Sequence, residues 1–201
     1  MQYIEIFVPC CPYTWSPWSG ERSIPLKKIA MLGLAVAALA VSATALSSGL
    51  KPGEQVPAFD VVDVNGPNKG KQLCYRCSYG NAPVAAAFIK SGSSEAATLV
   101  AGLQKLVNEH KAHGLRSFVV FMGGAELKPS IEKLAAEKKI SVPLTFLPQG
   151  PSAEDVRQYQ ISPDANNTVL LWSKGQVRSN FVNVTGESWG KVAAAASAML
   201  Q

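Results

Sequence analysis

Apolar residues recur in runs and at helical spacing along the second half of the chain, and this pattern predicts alternating strands and helices. Residues 83–89, PVAAAFI, are continuously apolar over the length of a strand that is covered on both faces. Residues 91–114 then begin with Ser and Gly and continue with apolar positions three and four apart, until Gly114. This second pattern is typical of an amphipathic helix.

The same patterns extend the prediction in both directions along the chain. A hairpin that turns at Asn65-Gly66-Pro67 comes first, and Pro143 predicts that the strand containing it lies at an edge or a bend. After the first helix we predict a strand at 115–124, a helix at 128–139, a strand at 140–148, a short helix at 152–161, a hairpin at 166–184 and a helix at 187–200. The predicted fold class is α/β, with a mixed central sheet, helices on both faces and an N-terminal β-hairpin extension.

The residues before position 46 predict an export signal. Lys27 and Lys28 precede an apolar, Ala-rich stretch that ends in Ala43-Thr44-Ala45, which is the order of a secretory signal peptide. We expect residues 26–45 to be removed, which leaves residues 46–201 as one domain in the periplasm or outside the cell, without a membrane contact. An uncleaved membrane anchor is the alternative, because the apolar run is about 18 residues long.

Residues 1–25 fit neither a signal peptide nor a domain. They place an acid and several aromatic residues where a short basic segment is expected. We interpret them as a mis-called start, with translation beginning at a TTG codon for Leu26. Cys10 and Cys11 would then be absent from the product, and a genuine Met1 start would leave them in a discarded leader.

Charge gives no indication of a nucleic-acid partner. The chain has a formal charge of +5, and 16 Lys and Arg face 12 Asp and Glu in residues 46–201. These charges are spread along the chain, without a basic run interleaved with aromatic residues.

The beginning of the predicted domain resembles a known group of proteins. Gly53, Pro57, Phe59 and Gly66 keep the spacing of a lead-in motif, and the resemblance extends over residues 50–200. The group is the thioredoxin-like redoxins, which comprise alkyl hydroperoxide reductase and thiol-specific antioxidant proteins and exported disulfide reductases. The resemblance implies a thioredoxin-like fold and exchange with protein thiols or disulfides.

Both catalytic marks of this group are missing from their usual places. In the group a reactive cysteine follows the first core strand at a helix start, but residues 88–96 read FIKSGSSEA. A cis-proline is expected before the strand at 168–172, and Asn166 and Asn167 stand there. Helix capping explains Ser91, Ser93 and Ser94 better than a nucleophilic role.

The remaining candidate for catalysis is the pair Cys74 and Cys77, in the sequence CYRC. It comes before the first core strand, so we predict that it lies at the opposite end of the sheet from the usual site. We expect a turn after it, without a helix start, and one nearby positive charge from Arg76. In an exported protein such a close pair tends to be bridged.

Three interpretations of this pair stay open at the level of sequence. It is a structural disulfide in a scaffold or binding module that uses the edge around Lys90 to Ser94, or it exchanges disulfides with a protein partner. In the third interpretation it binds zinc or copper together with His110 and His113. The sequence predicts no organic cofactor.

Overall fold

The structure of the protein, a computed structural model, describes residues 46–201. The predicted signal segment at 26–45 and the predicted mis-called start at 1–25 lie outside the described residues. No helix within residues 46–201 has the length and apolar character required to cross a membrane.

Strands and helices follow one another in the predicted order, with one additional short helix. The strands are β1 Val61–Asp63, β2 Gln72–Leu73, β3 Val84–Lys90, β4 Arg116–Met122, β5 Leu144–Phe146, β6 Asn167–Ser173 and β7 Gln176–Val182. The helices are α1 Tyr75–Tyr79, α2 Ala96–Glu109, α3 Lys128–Lys138, α4 Glu154–Arg157 and α5 Trp189–Met199. Helix α1 is the addition.

The strands form a seven-stranded sheet in the order β2-β1-β5-β4-β3-β6-β7. Strands β3, β4 and β5 are parallel, whereas β1, β2, β6 and β7 join through antiparallel pairs. The parallel strands require helical crossovers, and the apolar run of β3 is buried because strands cover both of its edges and helices or chain segments cover both of its faces. The predicted mixed sheet is confirmed.

Apolar side chains form two cores, one on each face of the sheet. Helices α2, α3 and α5 cover one face, with Leu99, Leu103 and Ile131 among the buried residues. The other face is covered by α1, by α4 and by residues 50–60, which cross the sheet from β7 to β1. Helices therefore lie on both faces, as predicted.

Of the two alternatives predicted from Pro143, an edge strand is wrong, whereas a bend is present at Val142, directly before the proline. Strand β5 begins one residue later, at Leu144, and lies between β1 and β4 in the sheet. A proline immediately before the strand removes no ladder donor from β5 itself, and its carbonyl accepts a hydrogen bond from the Val119 amide at 2.8 Å. Pro143 is therefore compatible with an internal strand.

The expected serine caps of helix α2 are also absent. Glu95 occupies the N-cap position, and its side chain makes no capping hydrogen bond. The Ser93 hydroxyl is buried and has no hydrogen-bond partner among the residues that the structure describes, while its backbone carbonyl accepts from the Ala96 amide. Helix α2 is thus stabilised mainly by burial of its apolar face and not by a side-chain cap.

Candidate functional site

Cys74 and Cys77 are joined by a disulfide bond, with their Cα atoms 5.2 Å apart. Cys74 is the N-cap of helix α1, and Cys77 lies in the middle of that helix. The Cys77 amide donates a hydrogen bond to Cys74 Sγ at 3.0 Å. Cys77 is exposed and Cys74 is half-buried, so the disulfide is accessible from solvent mainly through Cys77.

The prediction that no helix starts at this pair is therefore wrong. Five residues are too few to show helical periodicity, which is why the apolar pattern did not reveal α1. Two signals were present in the sequence: a residue able to cap at Cys74, and Gly80 at the helix end, where the backbone has a positive φ of 55°.

Tyr75, the residue between the cysteines that points inward, fixes α1 to the sheet. Its ring is almost fully buried and stacks on Phe118 at a centroid distance of 5.5 Å. Its hydroxyl donates a hydrogen bond of 2.7 Å to the Asp63 carboxylate. Burial, and then the bond to Asp63, raise the pKa of the Tyr75 hydroxyl well above its usual range.

Asp63 holds the hairpin turn and helix α1 together. Its buried carboxylate accepts the Tyr75 hydroxyl and also the amides of Gly66 at 2.7 Å and Asn68 at 2.8 Å. A Cβ at position 66 would lie 2.7 Å from Asp63 Oδ2, so the turn requires glycine there. Neither Asp63 nor Tyr75 was identified from sequence, although Tyr75 and Tyr79 have the spacing of one helix face.

Tyr79 and Arg76 attach α1 to the amino ends of the central strands. The Tyr79 hydroxyl donates to the Ser117 carbonyl at 3.1 Å, near the start of β4. The Arg76 Nε donates to the Val56 carbonyl at 3.1 Å, and its guanidinium lies against Gly175 in the turn between β6 and β7. These contacts place α1 at the end of the sheet where β3 begins, as the sequence predicts.

The place where redoxins carry their cysteine is at the other end of β3. Lys90 ends the strand, and its amide donates to the Asn166 carbonyl at 2.9 Å. Asn166 thus faces this loop at the position expected for a cis-proline, and all peptide bonds within residues 46–201 are trans.

A cleft opens beside Lys90, at the carboxyl ends of β3 and β4. This Lys90 cleft has a volume of about 510 Å³, and its walls include Phe88, Lys90, Met122, Ile161 and Pro163. Clefts at this end of an open α/β sheet are common ligand sites. Cys74 and Cys77 are not among the residues that line it.

The third interpretation, a metal site of Cys74 and Cys77 with His110 and His113, gains no support from the structure. Cys74 and Cys77 are bonded to each other, and His110 Nε2 lies 3.1 Å from the Ser197 hydroxyl. Within residues 46–201, no group of three or more His, Cys, Asp or Glu side chains is placed to hold a metal ion. His110 caps α2 and His113 ends the following turn, so both histidines belong to the end of that helix.

The fold and topology are thioredoxin-like. A provisionally assigned thiol:disulfide interchange protein, DsbE, from Chlorobium tepidum is similar over 76% of this chain and 99% of its own, with a TM-score of 0.63 and 16% identity. The thioredoxin domain of a thiol-disulfide oxidoreductase from Bacteroides vulgatus matches 72% of this chain and 97% of its own, with a TM-score of 0.56 and 19% identity.

Peroxiredoxin-type structures share the same fold. Peroxidoxin BcpB from Mycobacterium tuberculosis covers 75% of this chain and 98% of its own, with a TM-score of 0.58 and 14% identity. No family model matches the sequence, and no curated protein matches it. At these identities the comparison defines the fold, and the role of the Cys74–Cys77 disulfide has to be argued from its own surroundings.

Proposed function

We propose that this protein exchanges disulfides with protein partners through Cys74 and Cys77. The observation that carries the proposal is an exposed disulfide on a helix that is fixed by other contacts. Tyr75, Tyr79 and Arg76 each bond α1 to a different part of the fold. Two solved structures with this fold are named as a thiol:disulfide interchange protein and a thiol-disulfide oxidoreductase, which supports protein thiols and disulfides as the partner class.

The energetics permit exchange as well as a structural cross-link. A disulfide that encloses so few residues contributes about 2 kcal/mol in the loop-entropy description. The buried contacts of Tyr75 and Tyr79 hold α1 on the sheet without it. The oxidised and reduced forms can then share one fold, which is a requirement for repeated exchange.

The two sulfurs have different roles in this reaction. A partner thiolate attacks the exposed Cys77 Sγ, the Cys74–Cys77 bond breaks, and Cys74 leaves as a thiolate. The Cys77 amide already donates to Cys74 Sγ, and a hydrogen bond of this kind stabilises the leaving thiolate before it takes up a proton.

A second thiolate of the same partner then attacks the mixed disulfide and releases Cys77 as a thiolate. The partner has lost two electrons, and the cysteine pair has gained them. Run backwards, the same steps reduce a partner disulfide, and a second dithiol or disulfide protein restores the starting form of the pair.

We further propose that the protein works outside the cytoplasm, as a periplasmic or secreted protein. Residues 26–45 have the order of a signal peptide, and the Cys74–Cys77 disulfide is the form that an oxidising compartment maintains. Residues 46–201 would then be the mature domain.

The Lys90 cleft supports a second candidate function, a binding module in which the disulfide is structural. The cleft lies where redoxins react, and Lys90 at its rim is exposed. A binding module of this kind requires no change in the oxidation state of Cys74 and Cys77.

The reduction potential of the pair in the purified mature domain distinguishes the two functions. An exchange site is expected at about −120 to −270 mV, whereas a structural disulfide lies below about −300 mV. We expect the first range, together with turnover of a protein disulfide that the variant Cys74→Ser/Cys77→Ser lacks while it remains folded. A potential below the second limit would establish the structural role and overturn the exchange proposal.

A further inference from the structure

A groove next to helix α1 opens at the amino ends of β4 and β5. This Tyr79 groove has a volume of about 440 Å³, and its walls include Pro67, Tyr79, Asn108, Lys111, Arg116 and Ser141. It lies at the end of the sheet to which α1 is attached, because the Tyr79 hydroxyl bonds to the Ser117 carbonyl in the groove wall. The Lys90 cleft is at the opposite end of the same strands.

The charged side chains that line the Tyr79 groove are positive. Lys111 and Arg116 line it, both are exposed, and none of the acidic residues within 46–201 is in its wall. Among residues 46–201, neither cation has a carboxylate within ion-pair distance, since the four ion pairs formed there use other lysines and Arg157. Burial raises the pKa of the Tyr79 hydroxyl, the charge of Arg116 opposes part of that effect, and the buried Asp63 carboxylate adds to it.

The Tyr79 groove and the Cys77 side chain lie on opposite sides of the short helix α1. Tyr79 is two residues after Cys77 in α1, so the two side chains leave the helix on opposite faces. A partner chain that passes from one side to the other must go around the helix, which is about 10 Å across, so its path is about 16 Å long. An extended chain covers about 3.3 Å per residue, and a partner whose cysteine meets Cys77 therefore reaches the groove after about five residues.

We propose that the Tyr79 groove binds an acidic segment of the partner protein, about five residues from the cysteine that reacts with Cys77. This inference rests on the proposed exchange function and gives its substrate class. Lys111 and Arg116 attract the carboxylates, while Pro67 and Val107 offer apolar contacts beside them. The attraction accelerates encounter and holds the partner cysteine at Cys77.

Two disulfide peptides provide the test. They share one sequence, except that two acidic residues at this distance from the cysteine are replaced by Gln in the second peptide. The rate of reduction of each peptide by the reduced mature domain is measured at low salt and at high salt. We expect the acidic peptide to react about ten times faster at low salt, and this ratio to approach one at high salt because salt screens the attraction.

Matched variants assign the preference to the groove. In Lys111→Gln/Arg116→Gln the ratio should fall to about one, whereas Lys191→Gln, which removes an exposed lysine at the start of α5, should keep it near the wild-type value. Equal rates for the two peptides in the wild-type domain, or an unchanged ratio in the double variant, would overturn the inference and leave the exchange function standing.

A peptide in which Ser replaces the cysteine separates the two proposals. Its binding to the oxidised domain is measured by titration calorimetry for the acidic and the Gln forms. Tighter binding of the acidic form, weakened about tenfold in Lys111→Gln/Arg116→Gln, supports the groove even if no disulfide exchange is found. Binding that does not depend on the acidic residues would overturn the inference, whatever the result of the exchange assay.

Discussion

Tyr75 connects the helix that carries the disulfide to a buried carboxylate. Its hydroxyl and two backbone amides satisfy Asp63, whose side chain is taken almost completely out of water. The contact joins residues 12 positions apart, and it depends on how the hairpin and α1 fold onto each other. Single-residue properties such as the aromatic character of Tyr75 therefore could not predict it.

The variant Tyr75→Phe tests this connection. It keeps the stacking on Phe118 but leaves the buried Asp63 carboxylate without one donor, so the free energy of unfolding should fall by about 2 kcal/mol. Tyr79→Phe is the matched control, because its hydroxyl bonds to a neutral backbone carbonyl and should contribute about 1 kcal/mol. Urea unfolding measures both values, and a loss in Tyr75→Phe no larger than that in Tyr79→Phe would contradict this role.

At the level of elements, long buried segments were predictable and short ones were not. Strand β3 and helix α2 each bury an apolar pattern long enough to distinguish a strand from a helix. Helix α1 is only about one turn long. Strand β5 has three residues and pairs with β1, which is distant in sequence, so its place inside the sheet could not be predicted from its own residues. The sequence accordingly predicted the position of the cysteine pair before β3 but missed the helix that presents it.

The orientation of α1 predicts which cysteine forms the mixed disulfide. In Cys74→Ser the exposed Cys77 remains without its resolving partner, so a mixed disulfide with a protein substrate should accumulate. In Cys77→Ser the remaining Cys74 is half-buried, and the trapped complex should be at least about five times less abundant at equal exposure time. Non-reducing electrophoresis measures both yields, and a higher yield for Cys77→Ser would reverse the assigned roles.

At the scale of the whole molecule, three tyrosines take their hydroxyls out of water on the same face of the sheet. Burial raises the pKa of Tyr75, Tyr79 and Tyr159 well above the ordinary value near 10. The Tyr159 hydroxyl donates to the Pro57 carbonyl at 2.6 Å, and thereby attaches residues 50–60 to this core. These hydroxyls must stay protonated in the folded state.

The free energy of unfolding should therefore decrease as the pH rises into the alkaline range. Below pH about 10 the tyrosines are protonated in both the folded and the unfolded state, and their contribution is fully present. Above pH about 10 the unfolded chain loses these protons while the folded chain keeps them, so the free energy of unfolding decreases. Urea unfolding between pH 8 and about 11 should show this decrease, and in Tyr159→Phe the slope should be shallower; an identical slope would contradict it.

The sequence predicted the overall scaffold because the alternation of helices and strands leaves only a few allowed topologies. It could not predict the Lys90 cleft or the Tyr79 groove, since each is formed by residues from distant parts of the chain. The redoxin resemblance implies a reactive site near residues 90–94, where no cysteine stands. The contacts around Cys74 and Cys77 join distant parts of the chain, so the sequence could not predict them.

The seven residues of β3 separate the end that carries α1 from the end beside Lys90 by about 20 Å. A peptide segment of a few residues bound at one end would not reach the other, so both ends can be occupied at the same time by short segments. A peptide segment joined to Cys77 by a disulfide would leave the Lys90 cleft free to bind a second ligand.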